Sequence, residues 1–449
     1  MVTANQKELA AQAQKPAEEA MRLHPFYGGK IQTAPKCPVR DYHDFSIWYT
    51  PGVAAPCKAI QANPELLYEM TNVGNTIAVV SDGTRVLGLG DIGPAAAMPV
   101  MEGKALLFKY LGGVDAVPIC LDTKDPDKLI EAVKLLEPSF AGINLEDIEQ
   151  PKCFYILDRL RAEMSIPVWH DDQQGTATII LAGLINAAEV VGKKLSEMHI
   201  VVFGSGAANV ATVRLLLAYG VHPAQLIVVD SRGILHAERE DIAAQRDVYR
   251  DKWRLCQITN TEGRKGGPAE AFRGADAVIA LSKPGPGTIK PEWVASMAPK
   301  AVVFACANPT PEIWPWEAKD AGAAVVATGR SDFPNQVNNS LVFPGIFRGA
   351  LDVRARTITD EMCLAAADEL ARMARRRELD PDFIVPTMDD VDVFVAEAVA
   401  VGMKAQEQGV AKKRVSREAL WEHAQKVIYQ AHELTRIMME EGLIPAMPA

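Results

Sequence analysis

Hydrophobic and polar positions change their pattern along the chain near residue 168. Before that point, short apolar runs such as "NTIAVVSDGTRVLGLG", residues 75–90, alternate with helical stretches, and Asp82-Gly83 between two apolar runs predicts a hairpin. After it, the apolar run of residues 176–195 predicts a long buried helix. Residues 198–233 then follow the order strand, glycine turn, helix, strand, which predicts a βαβ unit.

Further strand-like runs follow this unit, at "ADAVIAL", "AVVFACAN" and "GAAVVATG". Together they supply the strands that a doubly wound parallel sheet requires. From about residue 358 the pattern is helical to the end of the chain. We therefore predict an α/β protein in which a Rossmann-like doubly wound parallel sheet follows an N-terminal α/β domain and precedes a helical C-terminal tail. The predicted domains are residues 1–168 and 169–449.

Two glycine-rich strings compete for the role of dinucleotide site. In "VVFGSGAANV", residues 201–210, Gly204 and Gly206 follow a buried strand and precede a helix, whose first residues Ala207 and Ala208 offer free N–H groups to a pyrophosphate. Asn209 stands where such a motif usually has its third glycine. The context favours this string as the cofactor site, although a βαβ glycine turn without a ligand is the alternative.

The other string, "VLGLGDIG" at residues 86–93, follows the predicted hairpin and is followed at once by Pro94. A hairpin is not the lone parallel strand that delivers a phosphate-binding turn. We expect its glycines to let the backbone fold closely around a pocket instead.

Composition narrows the possible function. The chain has 449 residues, 48% hydrophobic and 23% charged, and a formal net charge of −10, which argues against nucleic acid as a partner. Seven scattered cysteines fit neither a disulfide framework nor a zinc site. The sequence lacks an apolar run of ~20 residues, and its opening 29 residues lack the apolar core of a secretory signal. We therefore expect no membrane association and a cytoplasmic location.

Two features carry candidate chemistry. Glu146, Asp147 and Asp172 offer three carboxylates to one hard cation, Mg²⁺ or Mn²⁺, although paired acids are more often a solvated surface. Glu146 and Asp147 can share an ion only at the end of an element, since adjacent helical side chains diverge by about 100°. Lys104 lies in the apolar context "MEGKALLFKY", where desolvation and a neighbouring cation can lower its pKa toward that of a base. A lysine extending from a half-buried helix is the alternative.

Seven short motifs occur in order along the chain and resemble the signatures of the malic enzymes, in particular their compact prokaryotic form. They are "YTPGVAAPC" (49–57), "SDGTRVLGLGDIG" (81–93), "MEGKALLFK" (101–109), "NLEDI" (144–148), "HDDQQGTA" (170–177), "CANPT" (306–310) and "NNSLVFPG" (338–345). The resemblance implies oxidative decarboxylation of L-malate to pyruvate and CO2, with reduction of NAD or NADP and dependence on a divalent metal. It also implies that the N-terminal domain holds substrate and metal.

The resemblance assigns roles to individual residues. By analogy, Glu146, Asp147 and Asp172 are the metal ligands, and Lys104 is the base that takes the proton of the substrate hydroxyl. Asp171, beside a presumed ligand, orients and tunes Lys104.

Four further residues complete the expected site. Tyr49 opens a Pro-Gly turn, and the matching tyrosine of the family is the acid that protonates C3 of enolpyruvate; a core tyrosine is the alternative. Arg85 has the planar fork suited to a substrate carboxylate. By resemblance, Asn308 and Asn339 hydrogen-bond to the substrate or the nicotinamide, and positions in solvent-exposed loops are their alternative.

Cofactor choice depends on "VVDSRG", residues 228–233. Asp230, at the end of a strand, is placed to accept hydrogen bonds from the ribose hydroxyls and to repel the additional phosphate of NADP. Arg232 opposes this, because a guanidinium can pair with that phosphate. We predict a preference for NAD with measurable use of NADP. The apolar helices at both ends of the chain predict a homodimer.

Other functions remain open from the sequence. A malolactic enzyme or an oxaloacetate decarboxylase could use the same residues, and release of reduced cofactor separates them from a malic enzyme. Only Asn209 favours a function as a non-catalytic dinucleotide sensor, and the presence of Tyr49 and Lys104 argues against that function.

Overall fold

The computed structural model describes residues 15–448. Residues 1–14 and Ala449 lie outside the described residues. The opening segment considered above and the outer ends of both predicted domains are therefore only partly described. Within residues 15–448, every helix is too short or too polar to cross a lipid bilayer.

The first part of the fold contains a four-stranded parallel sheet. Its strands are β1 (Thr76–Ser81), β2 (Asp115–Cys120), β3 (Gly142–Leu145) and β4 (Val168–His170), in the spatial order β2-β1-β3-β4. β1 is buried along almost its whole length, as its unbroken apolar run requires for a central parallel strand. The domain boundary predicted after residue 168 falls inside β4, and it stays a prediction.

Helices surround this sheet and precede it. They are α1 (Lys15–Tyr27), α2 (Tyr42–Trp48), α3 (Ala54–Ala62), α4 (Leu67–Met70), α5 (Pro94–Gly112), α6 (Pro126–Leu136) and α7 (Lys152–Glu163). α5 has proline at its first position and ends at Gly113 in the left-handed conformation, which are favourable start and stop signals.

The hairpin predicted at Asp82-Gly83 is wrong. Both edges of β1 are occupied by parallel neighbours, β2 and β3, so no edge is free for an antiparallel partner. Residues 82–93 form a loop instead, with one isolated antiparallel bridge between Val86 and Gly90. A short apolar run beside a turn signal could not reveal which strands flank β1.

The second sheet confirms the predicted doubly wound arrangement. Its strands are β5 (Ile200–Phe203), β6 (Leu226–Asp230), β7 (Gly233–Ile234), β8 (Ala277–Ala280), β9 (Ala301–Ala305) and β10 (Ala323–Thr328), in the order β10-β9-β8-β5-β6-β7. All neighbouring strands are parallel except β6 and β7. The three strand-like runs that follow the βαβ unit are thus β8, β9 and β10.

The helices of the second part include the predicted buried helix, α8 (Thr176–Val190), most of which is inaccessible to solvent. Helices that accompany the second sheet are α9 (Ala207–Tyr219), α10 (Glu240–Ala243), α11 (Arg250–Ile258), α12 (Pro268–Phe272), α13 (Pro291–Ala295) and α14 (Pro315–Asp320). The chain ends with α15 (Phe343–Asp352), α16 (Asp360–Ala374), α17 (Val391–Glu407) and α18 (Arg417–Glu440), which confirms the helical tail.

The C-terminal helices hold the two parts together. α15 and α18 pack against α5 of the first part, and α16 packs against α8. One hydrophobic cluster includes Phe108 on α5, Phe343 and Phe347 on α15, and Phe304 on β9. Because this core is continuous, the two sheets are fixed relative to each other.

A buried ion pair strengthens this junction. Arg348 and Asp352, one turn apart on α15, each have side chains that are 3% exposed, and Arg348 Nε donates to Asp352 Oδ1 at 2.9 Å. Arg348 Nη1 also donates to Asn75 Oδ1 at 2.7 Å, directly before β1. His423 Nε2 on α18 lies 3.2 Å from Asp352 Oδ1. The pair therefore links the first sheet, α15 and the C-terminal helix.

We predict that Asp352→Leu lowers the free energy of unfolding by about 3–5 kcal/mol, because it leaves the Arg348 guanidinium buried without its partner. The double variant Arg348→Met/Asp352→Leu should recover at least half of this loss, since it removes both charges. Urea denaturation followed by tryptophan fluorescence measures both. Equal loss in the single and double variants would contradict the assignment of this pair as the link.

Candidate active site

A cavity of about 960 Å³ lies between the two sheets, at the carboxyl ends of their strands. In each sheet the strand order reverses there, between β1 and β3 in the first and between β5 and β8 in the second. Ligands of open parallel sheets bind at such points. The loops after β1, β3 and β4 form one wall, and those after β5, β8 and β9 form the other.

Glu146, Asp147 and Asp172 come together in the first wall. A carboxylate oxygen of each lies within 4.8 Å of the other two. Glu146 and Asp147 follow β3, and Asp172 lies in the π-helical turn Asp171–Gly175 that follows β4, the parallel neighbour of β3. As expected, the adjacent acids share this space at an element's end, where Asp147 adopts a left-handed backbone with φ of 55°.

Hydrogen bonds fix the three acids without using all their oxygens. Asp172 Oδ2 accepts the backbone N–H of Asp147 at 2.8 Å, and Glu146 Oε2 accepts Asn144 Nδ2 at 2.9 Å. Asp147 Oδ2 is buried and has no hydrogen-bond partner among residues 15–448. Burial, together with the nearby Asp172 carboxylate, raises the pKa of Asp147 to about 8. Removal from water also raises the pKa values of Glu146 and Asp172.

This donor set fits a hard divalent cation. Three carboxylates in one small volume repel each other, and an unpartnered buried oxygen is costly unless something binds it. Mg²⁺ and Mn²⁺ prefer carboxylate oxygens and compensate both effects. Glu146, Asp147 and Asp172 are therefore the residues that could hold the metal.

Lys104 lies beside these acids. It is buried on α5, and its Nζ atom is 2.7 Å from Asp171 Oδ2 and 3.0 Å from Glu146 Oε1, with the Phe343 ring centroid at 4.3 Å. Burial lowers the pKa of Lys104, but the charges of Asp171 and Glu146 more than offset this and hold it above its usual value. The expected lowering of this pKa is thus not found, because that expectation assumed a neighbouring cation, whereas two carboxylates contact the ammonium.

Asp171 contacts Lys104, the residue that we expect it to orient. It is fully buried, and its second oxygen, Oδ1, accepts the indole N–H of Trp169 at 3.1 Å. This bond leaves Oδ2 directed at the lysine. Burial raises the pKa of Asp171, although Lys104 opposes the shift.

The loop of residues 82–93 closes the cavity and presents Arg85. The backbone N–H of Arg85 donates to Asp147 O at 3.0 Å, and its side chain is exposed at the cavity wall. A Cβ atom on Gly88 would lie 2.7 Å from the carbonyl oxygen of Asn308, so this close approach requires glycine. The prediction that the first glycine string lets backbone fold around a pocket is confirmed here.

The second glycine string forms the opposite wall. Gly204 has a φ of 112°, and Gly206, Ala207 and Ala208 line the cavity at the N-terminus of α9. Free N–H groups at a helix N-terminus bind phosphate. Asn209 is fully buried, and its Nδ2 atom donates to the carbonyls of Phe203 and Gly204 at 3.0 and 3.1 Å. The residue that departs from the glycine motif therefore braces the turn.

Asn308 lines the cavity after β9, and Asn339 lines it in the 3₁₀ turn Asn339–Leu341.

Sequence reasoning missed Glu312, which braces this wall. Its buried carboxylate accepts the backbone N–H groups of Ser282 and Ala307, at 2.8 and 3.1 Å, and so joins the loops after β8 and β9. A single glutamate in a loop gives no signal of this role in one sequence.

Lys30 was also missed. It lines the cavity from the segment after α1, and its Nζ atom donates to Pro99 O at 2.8 Å. Partial burial lowers the pKa of Lys30, while Glu102 opposes the shift. Its position far from the other motifs along the chain hid its proximity to α5.

Asp230 does not have the geometry expected of a ribose ligand. Its Oδ1 atom accepts the Arg232 backbone N–H and Arg239 Nη1, at 2.9 and 3.1 Å. Its Oδ2 atom accepts Arg239 Nη2 and Lys252 Nζ, at 3.0 and 2.6 Å. A carboxylate has about four acceptor positions, and all are occupied. The preference for NAD that we expected from a free Asp230 carboxylate therefore loses its physical basis.

Tyr49 does not line the cavity of its own chain. It caps the C-terminal end of α2, and its side chain is 71% exposed. Trp48 beside it donates its indole N–H to Pro38 O at 3.0 Å. Of the predicted site residues in the first part of the fold, this tyrosine is the one that the structure separates from Lys104 and the acids.

Comparison with known proteins agrees with this geometry. Residues 28–161 match the family model described as malic enzyme, N-terminal domain, and residues 173–406 match that described as malic enzyme, NAD binding domain.

Individual relatives cover most of the chain. A bifunctional malic/malolactic enzyme of Bacillus subtilis is 48% identical over 91% of this chain and 98% of its own length. An NAD-dependent malic enzyme of Geobacillus stearothermophilus is 50% identical over 86% of this chain and 78% of its own. The crystal structure of Entamoeba histolytica malic enzyme superposes with a TM-score of 0.95 at 47% identity, over 98% of this chain and 92% of its own.

We predict that Asp147→Asn weakens Mn²⁺ binding at least about tenfold, because it removes one charged ligand. Asparagine tolerates the left-handed backbone at this position, so the fold should be retained. Titration of free Mn²⁺ by electron paramagnetic resonance measures the affinity. Asp91→Asn is the control, since Asp91 also lines the cavity but pairs with Lys124 at 2.5 Å. Equal affinities in the two variants would remove Asp147 from the ligand set.

Proposed function

This chain belongs to the malic enzyme family, and we propose that it converts L-malate to pyruvate and CO2, reduces NAD or NADP, and depends on Mg²⁺ or Mn²⁺. One observation carries the proposal. The Lys104–Asp171 pair and the three carboxylates face the glycine turn of Gly204 and Gly206 across a single cavity. Oxidation of an alcohol needs a base and a hydride acceptor, and loss of CO2 needs an electron sink, so the site supports both half-reactions.

Substrate binding uses the cationic and amide groups of the cavity walls. Arg85 pairs with a carboxylate of the dianionic malate, and the overall charge of −10 makes such local attraction necessary. Asn308 and Asn339 hydrogen-bond to the substrate or to the carboxamide of the nicotinamide. Ala207 and Ala208, at the start of α9, donate N–H groups to the pyrophosphate.

A divalent cation and a nicotinamide would supply the remaining chemistry. A divalent cation on Glu146, Asp147 and Asp172 would act as a Lewis acid toward the substrate oxygens and would neutralise charge that now raises the pKa of Lys104. A nicotinamide bound at the glycine turn would provide the hydride acceptor for C2.

The proton from the substrate passes through the chain's own residues. Lys104 first passes a proton of its ammonium to Asp171 Oδ2, 2.7 Å away, and the neutral amine then takes the proton of the C2 hydroxyl. Burial raises the pKa of Asp171, which makes this carboxylate a better proton acceptor than an exposed aspartate. Oxidation at C2 yields oxaloacetate, which then loses its C4 carboxylate as CO2.

The last step requires an acid at C3, and we assign it to Tyr49 of a second copy of the chain. Tyr49 is exposed, and the segment of chain around it, residues 21–53, exposes many large apolar side chains, which we call the N-terminal apolar face. Its large exposed side chains are Met21, Phe26, Ile31, Val39, Tyr42, Phe45, Ile47, Trp48, Tyr49 and Val53. Large exposed apolar side chains in such number are typical of protein interfaces.

The C-terminal end of the chain extends this face. Tyr27 Oη donates to Pro445 O at 2.9 Å, and Arg22 Nη1 donates to Pro448 O at 3.1 Å, so α1 lies beside the last residues. Those residues expose Leu443 and Met447. The combined surface supports the predicted homodimer, in which each copy supplies its tyrosine to the cavity of the other.

A malolactic activity is the second candidate, since the B. subtilis relative carries that name. The same residues would serve it, but the reduced cofactor would be consumed in forming lactate. The sensor interpretation loses its only support, because Asn209 braces the turn.

The two activities give different products. With L-malate, MnCl2 and either NAD⁺ or NADP⁺, we predict that the purified protein forms pyruvate and reduced cofactor in equal amounts, and that Lys104→Met forms neither. Absorbance at 340 nm and chromatography of the keto and hydroxy acids measure both products. Accumulation of lactate without net reduction of the cofactor would establish the malolactic reaction instead. Lys109→Met is the matched control, because Lys109 lies on the same helix but pairs with the peripheral Asp115.

Mixing inactive variants tests the donated tyrosine. Tyr49→Phe and Lys104→Met are each expected to be inactive, but a heterodimer combines one intact Lys104 with the partner's Tyr49 in one of its two cavities. Random exchange at equal concentrations should therefore restore about one quarter of the wild-type activity. If each chain used its own tyrosine, both cavities of the heterodimer would lack a residue and mixing would restore nothing.

A further inference from the structure

The loop of residues 82–93 begins at a buried ion pair that the proposed chemistry does not use. Asp82 follows β1 directly and its side chain is 1% exposed, while the side chain of Lys152, the first residue of α7, is 12% exposed. Lys152 Nζ lies 2.7 Å from Asp82 Oδ2. A buried carboxylate is costly without a compensating charge, and Lys152 supplies that charge.

The place of Lys152 in its own helix indicates that this contact matters. Lys152 begins α7, and the positive end of a helix dipole disfavours a cation there. Local helix preference therefore does not explain a lysine at this position. The tertiary contact with Asp82 does, because it offsets the unfavourable interaction with the dipole.

The second oxygen of Asp82 fixes the chain that leads to Arg85. Asp82 Oδ1 accepts the Thr84 backbone N–H at 3.1 Å and the Thr84 hydroxyl at 2.6 Å. Thr84 Oγ1 in turn accepts the backbone N–H of Glu149 at 3.0 Å. Thr84, the residue before Arg85, is thus held on one side by Asp82 and on the other by the segment that leads into α7.

These contacts set Arg85 against the acids of the site. β1 and β3 are parallel neighbours, so Asp82 and the acids that follow β3 lie at the same edge of the sheet. The Arg85 backbone N–H donates to Asp147 O at 3.0 Å. Because Lys152 ends the short segment that follows Asp147 and also contacts Asp82, a shift at the ion pair would move Arg85 relative to the three carboxylates.

The two ends of the loop are joined beside Asp82. Gly83 O accepts the backbone N–H groups of Ile92 and Gly93, both at 3.1 Å. Gly83 has a φ of 68°, and a Cβ atom there would overlap the carbonyl oxygen of Gly93, so this closure requires glycine. A displacement of Asp82 therefore displaces both ends of the loop.

We propose that Lys152 is a positioning residue for substrate binding, and that it acts through Asp82 to hold the loop where the Arg85 guanidinium reaches a substrate carboxylate. This inference rests on the proposed function and adds to it a residue that does not touch the substrate. Without the Lys152 ammonium, Asp82 would be a buried carboxylate without its compensating charge, and the loop would shift to bring it to water. Lys104 and Asp171 belong to α5 and to the turn after β4, so they would keep their places.

Steady-state kinetics with L-malate and MnCl2 test the positioning role. We expect Lys152→Met to raise KM for L-malate about tenfold and to leave kcat within about twofold, because Arg85 would bind the substrate and the transition state equally less well. Lys152→Arg keeps the charge and should hold KM within about threefold of the wild-type value. Partial unfolding would lower kcat and leave KM unchanged, so that pattern in Lys152→Met would overturn the inference. Equal KM values in the methionine and arginine variants would also overturn it.

Limited proteolysis of the ligand-free protein gives a second readout that needs no turnover. Arg85 is an exposed trypsin site, and release of the loop in Lys152→Met should speed cleavage after Arg85 at least about fivefold. Mass spectrometry identifies the fragment that ends at Arg85. Lys134→Met is the matched control, because Lys134 pairs with Glu163 at the opposite end of α7. It should leave KM, kcat and the cleavage rate unchanged.

A second variant keeps the test valid if Lys152→Met fails to fold. Thr84→Val removes the hydroxyl between Asp82 and Glu149 and keeps the shape of the side chain, so it should raise KM and speed cleavage in the same way. A protein that leaves L-malate unchanged, but whose Lys152→Met variant is cleaved faster after Arg85, would refute the proposed function and leave the brace of the loop standing. Malate oxidation with an unchanged KM in Lys152→Met would support the function and overturn this inference.

Discussion

The crowding of four carboxylates, three of them buried, around one lysine is the constraint on which the rest of the site depends. Glu146, Asp147, Asp171 and Asp172 carry more negative charge than Lys104 can balance, and burying such charge is costly. The surrounding fold must therefore hold these groups in place. It does so with the indole of Trp169, the amide of Asn144 and the backbone of Asp147.

Two parallel sheets provide the framework for this arrangement. Each sheet delivers the carboxyl ends of several strands to one edge, and the continuous core through α5, α8 and α15 turns those edges toward each other. The acids come from one sheet and the glycine turn from the other. A molecule bound between them would contact both, so the geometry of the site depends on how the two parts are joined. The Arg348–Asp352 pair and the C-terminal helix contribute to that junction.

Paired charges also shape the carboxyl end of β6 and the wall of the cavity. Asp230 is neutralised by Arg239 and Lys252, whereas Glu312 is buried against backbone N–H groups without a cation. The first arrangement leaves cationic donors exposed, and the second fixes two loops near Asn308. Residues of the same charge thus have different functions because their partners differ.

The sequence by itself determined the succession of elements and the chemical inventory. The apolar runs that became β5, β6, β8, β9 and β10, the buried α8 and the glycine turn at Gly204 were readable because strand and helix periodicity are local properties. The seven motifs likewise indicated the family, and they contain the candidate catalytic and metal-binding residues.

Tertiary structure decided whatever depended on neighbours distant along the chain. It replaced the hairpin with a loop because both edges of β1 were taken, and it raised the pKa of Lys104 by adding Asp171 and Glu146. It filled the acceptor positions of Asp230 and placed Tyr49 on the surface. Pairing, burial and electrostatic environment arise from contacts between elements, and periodicity along one chain contains no information on which elements meet.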